Sequence, residues 1–294
     1  MKTIIFLIVI GLNALLYGAE IVRMDLWPDG APYDNGLSGA ETGKGCIGNI
    51  SKATLTVYLP ERENKSGAAV VVIPGGGYGG VCMKTEGEYI AKILNEWGMA
   101  AIILKYRLPN GHVQIPSCDA RRALRTVRYN ARKWRINPQK VGVWGFSAGG
   151  HLAATVTTLF DRGKVSAADP IERMSCRPDF SVLFYPVISM HREWTHMGSR
   201  KNLLGQYAEP TLIRKYSADK QVSKETPPVF LLHCSDDNVV NPQNSVIFYQ
   251  KLLTFHIPAE LLLFETGGHG PNAFIANPAW KAAFFYWLKA RGCL

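Results

Sequence analysis

Short apolar runs alternate along the chain with segments whose apolar residues recur every three or four positions. Residues 54–59, 69–73, 100–106, 141–144, 181–185, 229–233 and 261–264 read as strands. Several are continuously apolar, as in Val70-Val71-Val72-Ile73, which predicts strands covered on both faces. Helices are predicted over 85–97, ended by Gly98, over 119–134, from Ala148 onward, over 245–255 and over 278–291. Within 119–134, Ala120, Leu124, Val127, Ala131 and Trp134 are spaced 4, 3, 4 and 3, which defines one buried face. Alternating strands and helices predict an α/β domain: a mostly parallel sheet flanked by helices on both faces. Trp27-Pro28-Asp29-Gly30-Ala31-Pro32 reads as loop. The least regular stretch is 161–199, interrupted by Pro170, Pro178 and Pro186. Inserts of that kind shape sites at the C-terminal ends of strands.

Composition narrows the class. The chain has 294 residues, 47% hydrophobic and only 19% charged, which excludes a disordered or coiled-coil protein. A core of this size buries about three quarters of the surface its unfolded chain exposes, so folding does not need disulfides or metals. No repeat or linker divides it. Residues 1–19 place Lys2 before an uncharged apolar run that ends in Gly18-Ala19, a signal-peptide pattern. The run falls short of the roughly 20 residues that span a bilayer, so no membrane insertion is expected after cleavage. The expected organisation is a leader over 1–19 and one catalytic domain over 20–294, secreted or periplasmic. Six cysteines are scattered without a CxxC pair, so their count leaves their pairing open, and Cys234 reads as a small buried hydrophobe.

The chemistry gathers at strand ends. Gly145-Phe146-Ser147-Ala148-Gly149-Gly150 follows the strand at 141–144 and precedes a helix-forming run. GxSxG in a strand-turn-helix context presents a serine hydroxyl, with a helix N-terminus behind it that favours negative charge. Such a serine needs a general base, and the base needs an orienting carboxylate. The strand at 229–233 ends in Cys234-Ser235-Asp236-Asp237, and the strand at 261–264 ends in Glu265-Thr266-Gly267-Gly268-His269-Gly270. Requirement alone does not choose between Asp236 and Asp237. Upstream, Pro74-Gly75-Gly76-Gly77-Tyr78-Gly79-Gly80 follows the strand at 69–73, and its bare backbone can aim N–H groups at an oxyanion together with the Ala148 N–H.

These pieces, with Tyr106-Arg107-Leu108, resemble the α/β-hydrolase fold. Within it they are similar to the secreted carbohydrate esterases of gut and rumen bacteria, the acetyl xylan and bifunctional feruloyl/acetyl esterases. The resemblance implies Ser147 as nucleophile, Asp237 as acid, being the second Asp of Asp-Asp-x-x-Val, and His269 as base, with Gly76 or Gly77 and Ala148 as the oxyanion hole. It further implies removal of acetyl groups from polysaccharides or oligosaccharides such as acetylated xylan, without cofactor or metal. A feruloyl esterase, a general short-chain esterase and a peptidase are the alternatives. One departure concerns the His-Gly-Gly-Gly motif of lipases and esterases, which here reads Pro74-Gly75-Gly76-Gly77. The loop-bracing role of that histidine therefore has no counterpart in the motif.

Other features have plainer readings. Gly75, Gly77 and Gly80 match GxGxxG, but the next strand runs into Lys105-Tyr106-Arg107 where a dinucleotide site wants an acid. His233 reads as a satisfied core residue, His151 as a support of the serine turn, and His191 and His196 as surface-loop residues that could border a substrate. The net charge is +10, and Arg121, Arg122, Arg125, Arg128, Arg132, Lys133 and Arg135 crowd one helix. A solvated face is the expected reading; contact with an acidic glycan is the alternative, and export argues against nucleic acid. Oligomeric state is not legible.

Overall fold

The computed structural model describes residues 20–61 and 66–294; the expected leader, 1–19, lies outside the described residues. Eight strands form one sheet in the order β1-β2-β4-β3-β5-β6-β7-β8. They are β1 (Glu20–Asp25), β2 (Thr54–Leu59), β3 (Ala69–Ile73), β4 (Ala100–Lys105), β5 (Val141–Phe146), β6 (Ser181–Phe184), β7 (Val229–Cys234) and β8 (Ala259–Phe264). From β4 to β8 every pairing is parallel, with Val71 beside both Ile102 and Val143, and Leu183 beside Leu231. β1 and β2 add an antiparallel edge, Val22 opposite Val57 and Val57 opposite Ile102. The mostly parallel sheet with helices on both faces is as expected, although β1 was not: only one of its faces is partly covered, and its side chains are largely polar or exposed.

The helices are α1 (Tyr89–Glu96), α2 (Gln114–Tyr129), α3 (Ser147–Thr158), α4 (Met197–Leu204), α5 (Pro210–Lys215), α6 (Gln243–Thr254), α7 (Asn272–Ile275) and α8 (Ala279–Lys289). On one face of the sheet Ala120, Leu124 and Val127 of α2, Leu152 and Val156 of α3 and Phe248 of α6 pack on Val71, Val143 and Leu231. On the other, α1 and α8 cover Val70, Trp144 and Phe230. That second face is a wall of aromatic rings. Trp144 meets Phe184 and Phe284 edge-on, both at 4.9 Å between centroids, so much of the aromatic content belongs to the core.

Several boundaries move for local reasons. The predicted helix at 85–97 opens with a π turn, Lys84–Glu88, before α1. α2 starts five residues before Asp119; Pro116 sits in its first turn, where a missing N–H costs nothing. The stretch 161–199 is not one cap. Asp179 accepts the Val141 N–H at the start of β5 and binds Arg128 at 2.9 Å, which places it at the sheet edge opposite the C-terminal strand ends. Glu172 binds Arg122 at 2.8 Å and Arg125 at 2.9 Å. The arginine face of α2 is thus neither solvated nor open to a glycan at these three positions: Arg122, Arg125 and Arg128 are at most 10% exposed and hold 161–179 in place.

Because β3 is followed on one side by β4 and on the other by β5, the winding direction reverses between β3 and β5. Loops leaving the C-terminal ends of these two strands diverge and leave a crevice. Gly75 stands beyond one and Ser147 beyond the other.

Candidate active site

Ser147 opens α3 directly after β5 with φ at +53°, the left-handed region that non-glycine residues seldom occupy. Neighbouring glycines permit that turn by their lack of a side chain. A Cβ on Gly145 would strike the Gly149 carbonyl and Ala153, and one on Gly149 would strike the Ile73 and Pro74 carbonyls. Ser147 itself is only 8% exposed.

The loops after β7 and β8 bring an acid and an imidazole to it. His269 Nε2 lies 2.9 Å from Ser147 Oγ, and His269 Nδ1 lies 2.7 Å from Asp237 Oδ2. Burial alone would raise the Asp237 pKa. Hydrogen bonds from His233 and His269, and the Val240 N–H, outweigh it and hold the carboxyl well below the usual range. The ionised Asp237 fixes the proton on His269 Nδ1, leaving the Nε2 lone pair to receive the Ser147 proton. Asp237 is held in turn: its Oδ1 accepts the Val239 and Val240 N–H groups, both at 2.9 Å. Asp236 does something else. It is exposed, and its carboxylate accepts the Gly267 and Gly268 N–H groups, tying the His269 loop to the β7 loop.

His233 is buried as a satisfied core residue, and it also steadies the acid. Its Nε2 lies 3.0 Å from the Val240 carbonyl, which can only accept, so that nitrogen carries the proton and also faces Asp237 Oδ2 at 3.1 Å. Its Nδ1 accepts from the Ser245 hydroxyl at 2.8 Å.

Three N–H groups on the loops beside Ser147 have no partner among the described residues. The N-cap residue of α3, Phe146, offers no side-chain cap, so the Ala148 N–H has no capping partner. Neither Gly76 nor Gly77 donates its N–H to a partner among the described residues. Gly76 and Gly77 have φ of +130° and +63°, and a Cβ on Gly76 would strike the Gly80 carbonyl, so the loop requires glycine there.

The bracing absent from the Pro74-Gly75-Gly76-Gly77 motif comes from elsewhere. Glu86, buried in the π turn, accepts the Gly75 N–H at 2.6 Å and the Tyr185 hydroxyl at 3.0 Å. Tyr106 donates to the Pro74 carbonyl at 3.1 Å, and Asn202 of α4 donates to the Gly77 carbonyl at 2.8 Å. His151 closes the set from below. Its Nε2 donates to the Tyr216 carbonyl and its Nδ1 accepts from Tyr78, both at 2.7 Å, and burial lowers its pKa to about 4.

A family model, BD-FAE, matches residues 55–252. The chain belongs to the BD-FAE family. It is 39% identical over 238 residues to an acetylxylan esterase of Xylanibacter ruminicola, covering 79% of this chain and 47% of that protein. It is 37% identical over 221 residues to endo-1,4-beta-xylanase B of Butyrivibrio fibrisolvens, covering 74% and 34%. The chain therefore spans about half, and about a third, of these relatives. Among solved structures it is similar to an acetyl ester-xyloside bifunctional hydrolase from Caldicellulosiruptor lactoaceticus, with a TM-score of 0.82, 37% identity, and 93% and 97% of the two chains covered.

In this BD-FAE chain three residues at the site had no signal in the motifs: Glu86, Tyr185 and Asn202. Glu86 lies eleven residues past Gly75 in a segment read as plain helix. Tyr185 bears on His269 edge-on at 4.8 Å between ring centroids. His196 caps α4 beside Gly77, while His191 stays on the surface. A cavity of about 620 Å³ lies along α2 between Trp27, Arg121 and Tyr216, and no triad residue lines it. Cys46 and Cys82 are disulfide-bonded beside the glycine loop, where Ile47 and Val81 exchange backbone hydrogen bonds.

Proposed function

We propose that the chain is an exported serine esterase that removes acetyl groups from plant-wall polysaccharides or their oligosaccharides, acetylated xylan foremost. The observation that carries this is the hydrogen-bonded line Ser147, His269, Asp237 beside unspent N–H donors at Ala148 and at Gly76 or Gly77. Ser147 Oγ attacks the ester carbonyl as His269 Nε2 takes its proton, and Asp237 stabilises the imidazolium. The oxyanion is met by the Ala148 N–H and one glycine N–H, each such donor typically contributing about 3 kcal/mol to lowering the barrier. His269 then protonates the departing alcohol. Water activated by the same imidazole attacks the acyl-enzyme and releases acetate.

The substrate class rests on the names of the relatives, an acetylxylan esterase and a xylanase, and on the acetyl ester-xyloside hydrolase of similar structure. Export rests on the pattern at 1–19. The Cys46–Cys82 bond, a pairing typical of oxidising compartments, supports it. The deciding experiment compares acetate release from acetylated xylan, pectin and chitooligosaccharide with ferulate release from methyl ferulate. Acetate from xylan in excess is the expected result. Ferulate in excess would replace the reading with a feruloyl esterase.

A further inference from the structure

The first turn of α4 closes on the glycine loop, and one side chain there holds an unused donor. His196 caps the helix: its Nδ1 accepts the Ser199 N–H at 3.2 Å and lies 2.9 Å from the Ser199 hydroxyl. A backbone N–H can only donate, so Nδ1 carries no proton and the neutral ring keeps its proton on Nε2. Burial, and then the charge of His269, disfavour a second proton on the ring. Among the described residues Nε2 has no protein partner, and it is not one of the buried, solvent-sealed polar atoms.

The ring stands beside the glycine loop. Its Cε1 is 3.9 Å from where a Cβ on Gly77 would lie, and the Asn202 bond to the Gly77 carbonyl fixes α4 against that loop. During hydrolysis the alcohol oxygen departs toward His269 Nε2, which protonates it. A group that lies against the glycine loop and within range of the charge on His269 can reach the alcohol half of the ester. Met197, next in the chain, is 48% exposed and offers apolar surface beside the donor. A fixed N–H next to apolar surface suits a sugar, which presents hydroxyl acceptors on an otherwise C–H face.

We propose that the His196 Nε2–H donates a hydrogen bond to a hydroxyl or ring oxygen of the alcohol half, forming a polyol subsite that favours acetylated sugars over apolar esters. This rests on the esterase reading of the Ser147 site. A buried or half-buried donor left unpaired by an apolar alcohol is what gives such a subsite its discrimination.

The test is His196→Ser, because serine retains the helix cap while removing the reaching donor. His191→Ser, a surface histidine five residues away, is the control. For each, kcat/KM is measured on mono-O-acetylated methyl xyloside and on p-nitrophenyl acetate, alongside Tm. The loss on the sugar ester in His196→Ser should exceed the loss on p-nitrophenyl acetate by roughly tenfold, the scale of one hydrogen bond, with the ratio unmoved in the control. Equal losses on the two esters, or none on the sugar ester, would overturn the subsite. Wild-type protein that cleaves p-nitrophenyl acetate but no acetylated sugar would defeat the subsite and the carbohydrate reading together, while leaving the esterase itself standing.

Discussion

The Glu86 carboxylate accepts the Gly75 N–H at 2.6 Å, and so does for the glycine loop what a motif histidine does in other esterases. Its second oxygen holds Tyr185, whose ring rests on His269, so one buried carboxyl steadies both the glycine loop and the imidazole. Burial raises the Glu86 pKa against the hydrogen bonds from Gly75 and Tyr185.

Removing that acceptor should loosen the loop. Glu86→Ala leaves the Gly75 N–H buried and unpaired, and a loop misplaced by about 1 Å can cost on the order of 10²-fold in turnover. Glu86→Gln keeps an acceptor for Gly75, and its amide can donate to Tyr185, so most activity should return. The measurement is kcat for both variants on p-nitrophenyl acetate. An equal collapse in Glu86→Gln would show that the carboxylate charge, not its geometry, is what the site uses.

The adjacent aspartates separate by what they touch. Asp237→Asn removes the anion that sets the His269 tautomer and should cost roughly 10⁴ in kcat, while Asp236→Asn only weakens a tie between loops and should cost far less. Ser147→Ala should leave the fold intact with only a small background rate. Reversed effects in the two aspartate variants would assign the acid to Asp236.

How much of this was legible follows from the physics of each signal. Ser147, Asp237 and His269 stand at strand ends, the first and last of them flanked by glycines, and a turn under steric constraint leaves a mark in the sequence. Asp237 and Asp236 could not be told apart from residue types alone; the difference is which carboxylate the β7 loop turns inward. Parallel strands were legible because burial on both faces makes them continuously apolar, whereas the edge strand β1 has no such run. Arginine spacing on α2 looked like a solvated face because the acids that bury it, Asp161, Asp169, Glu172 and Asp179, are 36 to 51 residues away. Glu86 and Asn202 act through contacts made by the fold, which no spacing announces, whereas His196 could be named from its irregular segment but not told apart from His191.

His151 makes stability depend on pH. It is wholly buried and neutral, with its pKa lowered from 6.5 to about 4. Between those values the unfolded chain binds a proton that the native chain does not, so stability falls as pH drops from 6.5 toward 4. The full span is about 3 kcal/mol, and above pH 6.5 this group adds no pH dependence. Urea unfolding at pH 4.5, 5.5, 6.5 and 8 should show the slope. Other carboxyls titrate in the same range, so the decisive comparison is with His151→Gln, in which the slope over this window should shrink by that amount. An unchanged slope would mean that His151 is protonated in the native state.

Acyl preference follows from what roofs Ser147. The segment 161–179 is held away from the C-terminal strand ends by α2, whereas 187–204 meets the glycine loop through His196 and Asn202, and the helix it carries, α4, is eight residues long. Of those eight, Ser199, Arg200, Lys201 and Asn202 are polar, and Asn202 is spent on the Gly77 carbonyl. A long acyl chain needs apolar walls to gain its roughly 0.8 kcal/mol per buried methylene, and the cavity along α2 has no triad residue in its lining. Catalytic efficiency on p-nitrophenyl esters should therefore fall steeply from acetate through butyrate to octanoate. The three are compared under one set of conditions, below the solubility limit of the octanoate. A series that rises with chain length would mean that 187–204 moves aside to expose an apolar channel, and would reject acetyl as the preferred acyl group.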